Sequence, residues 1–95
     1  MLHTSHKRLI QSVGLACFIK YYEFFSDFSK SNEDIIDILM KNERYTESAN
    51  RTRVNKARKI FSENLQFKIL EYATHSKKLD IEWIKKANKL SKLSN

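Results

Sequence analysis

Between Glu47 and Glu63 the chain carries Arg51, Arg53, Lys56, Arg58 and Lys59 with no carboxylate among them, a local charge of +5. Lysine and arginine neutralise phosphates and release their counterions. Arginine can also bond two acceptors on a guanine edge, and asparagine two groups on an adenine edge. Asn55 lies within this run, and Ser48, Thr52 and Ser62 add hydroxyls of the kind that reach phosphate oxygens. On a helix that advances about 100° per residue, Val54, Ala57, Phe61 and Leu65 gather on one side. Ser48, Arg51, Thr52, Asn55, Lys56, Lys59 and Ser62 spread over the other, with Arg58 beside Arg51. The chemistry implied is recognition of a polyanion. Its expected contacts are Arg51, Asn55, Arg58 and Lys59, supported by Lys56, Thr52, Ser48 and the C-terminal lysines, and duplex DNA is favoured over RNA.

Other reactive residue types are too isolated to form a catalytic set. His3 and His6 fall in a terminus expected to fray, and His75 in a polar loop with no cysteine or second histidine at ligand spacing, so no metal is expected. Cys17 sits on an apolar stripe with no adjacent base to activate it, which predicts a buried thiol. Glu33, Asp34 and Asp37 are explained by a helix start, and the chain has neither a phosphate-cradling glycine loop nor a nucleophile elbow. The sequence therefore predicts no enzyme, no cofactor and no small-molecule substrate. Tyr45, Tyr72 and Trp83 among the lysines raise RNA stacking as a variant of the nucleic-acid reading.

Helices are the elements that position these residues. There is no proline and a single glycine, Gly14, so tight hairpins lack their usual residues. From about 5 to 28, Ile10, Val13, Cys17, Tyr21, Phe24 and Phe28 step by three or four, and Leu15, Phe18, Tyr22 and Phe25 form a second stripe beside them. One contact in a small protein does not cover that much apolar surface. The helix is therefore either the central one of the core or a seam, and in the second case Phe18, Tyr22 and Phe25 are expected at a homodimer or partner interface. Ser31 caps a short second helix bearing Ile35, Ile36, Leu39 and Met40, with Glu33 and Asp34 in its first turn. Thr46 opens a third helix reaching about Glu63. A fourth helix, or a bent continuation, follows with Leu65, Phe67, Ile69, Leu70 and Ala73, and Asp80 caps a last one holding Trp83.

The expectation is thus an all-α bundle of four to five helices in a single domain spanning 1–95, with 1–5 and 92–95 frayed. The second and third helices come in the order of a helix-turn-helix, although the connection at 41–45 has no glycine. A net charge of +7 suits polyanions or acidic protein faces. A lone cysteine fits a reducing compartment, so the cytoplasm is expected. Lys7 and Arg8 before Leu9 to Cys17 imitate a signal peptide only weakly, because Gln11 and Ser12 interrupt the run, and no stretch is long enough for a membrane. Two functions compete. One is a DNA-binding regulator or accessory factor using the 46–62 helix. The other is a protein-interaction module, an inhibitor or adaptor of the kind mobile elements encode, which occupies a partner protein's surface.

Overall fold

The computed structural model describes residues 2–93, which form seven helices and no strand. They are α1 (Thr4–Val13), α2 (Leu15–Lys20), α3 (Tyr22–Ser26), α4 (Asn32–Asn42), α5 (Glu47–Ser62), α6 (Gln66–Thr74) and α7 (Ile81–Leu93). The all-α class matches the sequence expectation and the helix count exceeds it, chiefly because the long first helix is three. Gly14 interrupts it at φ +90°, a backbone region that side chains rarely enter. A Cβ there would lie 2.9 Å from Arg53 Nη1, whose guanidinium donates to the adjacent Val13 carbonyl. Tyr21, at φ −108° and ψ 20°, makes the second break, and its carbonyl accepts from the amides of Phe24 and Phe25.

Two bends let both apolar stripes turn inward. Phe18 is fully buried between Phe25 and Phe61, with ring centroids 6.2 and 5.4 Å away, and Tyr22 meets its edge at 5.6 Å. Phe18 and Phe25 therefore fill the protein's own core, as a central helix requires, which corrects the alternative of an interface through these two, and Tyr22 is half-buried against them. Helix α5 is the hub of the fold and packs against α1, α3 and α4, while α6 and α7 pair with each other and α2 touches α7.

The predicted caps at Ser31 and Thr46 are present. Ser31 and Asp34 form a reciprocal capping box, and the Thr46 hydroxyl accepts from the Ala49 amide. A true break separates α5 from α6. Asn64 takes a positive φ of 57°, Leu65 N–H returns to the Ile60 carbonyl at 2.9 Å, and Asn64 N–H bonds the Phe61 carbonyl. This is a Schellman stop, with Leu65 and Ile60 both buried beneath it. Within the segments expected to fray, Leu2 is buried, the His3 ring caps α1 and α7 continues to Leu93, while residues 1, 94 and 95 lie outside the described residues.

One polar cluster fastens α2 to the end of α4. Glu43 Oε2 accepts from Lys20 Nζ at 2.9 Å and from the Tyr21 hydroxyl at 2.5 Å. The Lys20 bond first, then that of Tyr21, holds the Glu43 carboxyl below its usual range, and burial first, then Glu43, raises the Tyr21 phenol. A depressed carboxyl contributes stability that is present above its unfolded pKa and is lost as pH falls through the folded value. Glu43→Gln should therefore cost about 1–2 kcal/mol at neutral pH. Urea titrations should show that difference closing as pH falls below the ordinary glutamate range and through the parent's lowered carboxyl pKa.

Candidate nucleic-acid interface

Thr46 fixes the start of α5, and its buried side, Val54, Ala57, Ile60 and Phe61, fixes its rotation. The opposite edge then exposes Ser48, Thr52, Asn55, Lys59 and Ser62 in one row. Lys56 is half-buried beside α1. A shallow groove of about 260 Å³ runs between these helices, lined by Ser5, His6, Arg8, Leu9, Ser12, Lys56, Lys59 and Glu63.

The five cations of α5 do not act as one face. Arg51 Nη1 lies 2.5 Å from Glu33 Oε1 and Nη2 lies 3.3 Å from Glu47 Oε1, so two carboxylates hold it, and its bond lowers the Glu33 carboxyl. Arg53 donates to the Val13 carbonyl and lies 3.9 Å from the centre of the Tyr45 ring. Arg58 is only 9% exposed. It donates through Nη2 to the carbonyls of Lys30 and Asp27 at 2.9 and 3.1 Å and sits 4.7 Å over Phe28. Burial pulls its pKa below the ordinary value, partly offset by Asp27. The expectation that Arg51 and Arg58 stand free toward a duplex is therefore corrected, because both join α5 to the α3–α4 side of the fold.

The lysines behave differently. Lys59 makes only a loose pair with Glu63 at 3.9 Å. Among the described residues, Lys56 and Arg8 have no carboxylate within ion-pair distance. Asn55 Oδ1 accepts from Asn32 Nδ2 at 3.2 Å, which leaves its own amide hydrogens facing outward. On α7, Lys85, Lys89 and Lys92 are exposed, whereas Lys86 bonds Glu23 and the Lys20 carbonyl. Sequence reasoning missed Arg8, which lies more than forty residues from Lys56 and reaches it only because α1 packs on α5.

No protein-family model, curated protein or solved structure matches the chain.

The three histidines, dispersed in sequence, line one pocket of about 400 Å³ with Leu2, Lys68, Glu71 and Tyr72. The His3 and His6 rings lie 5.5 Å apart, and His3 Nδ1 accepts the Ser5 amide as the cap of α1. Among the described residues no three such side chains are placed to hold a metal ion. Cys17 is buried, and that burial pushes its thiol up to about 11, so at neutral pH it remains protonated. Of the aromatics considered for base stacking, Tyr45 has Arg53 over its ring, Trp83 is half-buried, and Tyr72 is exposed at the pocket rim. No described helix is long and apolar enough to cross a membrane.

Proposed function

We propose that this chain is a small helical nucleic-acid-binding protein that takes duplex DNA along the exposed row of α5 and the neighbouring groove of α1. The observation that carries this reading is the pairing of that row with Arg8 and Lys56, two cations with no carboxylate partner among the described residues. Lys59, Thr52, Asn55 and Ser48 extend the same surface, and the net charge of +7 favours approach to a polyanion. A regulator or accessory factor is the corresponding role.

A salt titration of binding to duplex DNA tests the reading. Each phosphate contact adds about 0.9 to the log–log salt slope. Arg8→Ala with Lys56→Ala should reduce the slope by about 2 and weaken binding by about tenfold at low salt. A parent protein that ignores duplex DNA even at about 50 mM salt removes the assignment.

The second reading, occupation of a partner protein's surface, is supported by the exposed apolar side chains Phe67, Tyr72, Ile81 and Leu93 of α6 and α7. It stands if duplex is ignored while the protein forms a stoichiometric complex with one protein at physiological salt.

A further inference from the structure

Resting on the nucleic-acid reading, we infer that the duplex is held through its phosphate backbone alone and that this protein does not discriminate between base sequences. Sequence readout in the major groove needs donors and acceptors held in pairs: a guanidinium fork for guanine, a free side-chain amide for adenine. Each guanidinium on α5 is already engaged. Arg51 is bound by Glu33 and Glu47, Arg53 by the Val13 carbonyl beside the Tyr45 ring, and Arg58 by the Asp27 and Lys30 carbonyls. Asn55 already accepts from Asn32 through its oxygen, so turning oxygen and amide together onto an adenine edge would compete with that bond. The groups left outward are the ammonium heads of Lys56 and Lys59 and the hydroxyls of Ser48 and Thr52. An ammonium is a point charge that pairs with a phosphate without angular demand.

Charge polarity along α5 points the same way. A recognition helix reads bases from its N-terminal residues. Here that end carries Glu47 and lies against Glu33, both exposed, and these carboxylates would meet the DNA backbone. Freeing Arg51 for a base would unpair both acids at that same spot. The opposite half of α5 sets Lys56, Lys59 and α1's Arg8 against the carboxylate of Glu63, which leaves that groove net positive and suited to phosphates. Arg8 is the one guanidinium in this groove, so replacing it tests whether a fork is needed there.

Fluorescence anisotropy on equal-length duplexes of all A·T, all G·C and mixed sequence distinguishes the possibilities. Dissociation constants should agree within about threefold, against the thousandfold and larger ratios typical of specific binders. Arg8→Lys should change the dissociation constant of every duplex by the same factor, and Arg8→Ala with Lys56→Ala should weaken all of them in equal proportion. Preference for one duplex by about tenfold or more, or loss in Arg8→Lys confined to one duplex, overturns this inference while leaving DNA binding in place. Absence of binding to every duplex overturns the nucleic-acid reading beneath it. Circular dichroism of each variant confirms that the fold is retained.

Discussion

Phe18→Ala should cost about 3–5 kcal/mol, the range for truncating a fully buried phenylalanine. Small domains have total stabilities of about 5–15 kcal/mol, so the variant should melt at least about 12 °C below the parent. The size of the effect follows from what this ring joins. Helix α2 has six residues and α3 has five, neither long enough to be stable alone, and both are held by side chains inserted into the core. Phe18 of α2 stacks on Phe25 of α3 and Phe61 of α5, so its removal opens a cavity where three helices meet. Thermal unfolding with sizing of the native protein checks the assignment. If Phe18→Ala kept the parent's stability but halved the native mass, Phe18 would belong to a seam between two copies.

That assignment shows where sequence pattern runs out. Ten apolar residues between Ile10 and Phe28 keep helical spacing, and the pattern predicts one long helix with excess apolar surface. The periodicity persists across the bends because each short helix still needs an inward face, so a change of direction leaves no trace in the spacing. Gly14 was the available signal, yet an isolated glycine within a helical pattern is compatible with either outcome. The caps were legible because their chemistry is local: Ser31 with Asp34, and Thr46 with the Ala49 amide, lie within three residues of one another. Phe28 keeps the spacing of the inward residues yet is 61% exposed, with Arg58 over its ring.

The charge pattern misled for a related reason. A run without Asp or Glu from 48 to 62 is acid-free only along the chain. In space α5 lies beside α4, which brings Glu33, and its own first residue, Glu47, lies one turn before Arg51. The amphipathic split of α5 was legible, and its exposed row of Ser48, Thr52, Asn55 and Lys59 lies on the side the spacing implies. Which of the flanking arginines would be taken by the fold depended on the path of α3 and the loop before α4. Likewise, the gathering of His3, His6 and His75 depended on α1 lying near α6. Neither follows from spacing within one helix.

Arg58→Ala should separate folding from binding most sharply, with an expected loss of about 2–4 kcal/mol in stability. Its guanidinium gives hydrogen bonds to two carbonyls of the loop between α3 and α4, at Asp27 and Lys30, and covers the Phe28 ring. Charge-assisted bonds of this kind contribute about 1.5–3 kcal/mol, and the relief of a desolvated charge offsets part of their loss. The Asp27 carbonyl keeps the Lys30 amide as a second partner, so the Lys30 carbonyl and the exposed face of Phe28 bear most of the change. Arg58→Lys keeps the charge but replaces a planar fork with a point donor, and it should recover less than about half of the lost stability. Urea unfolding measures both variants. Duplex binding by Arg58→Ala, measured well below its lowered melting point, should stay within about twofold of the parent, because the groove of Arg8, Lys56 and Lys59 does not include this side chain. Unchanged stability with binding weakened by about tenfold would place Arg58 at the DNA after all. It would also restore to α5 the base-reading fork that its contacts with Asp27 and Lys30 deny it.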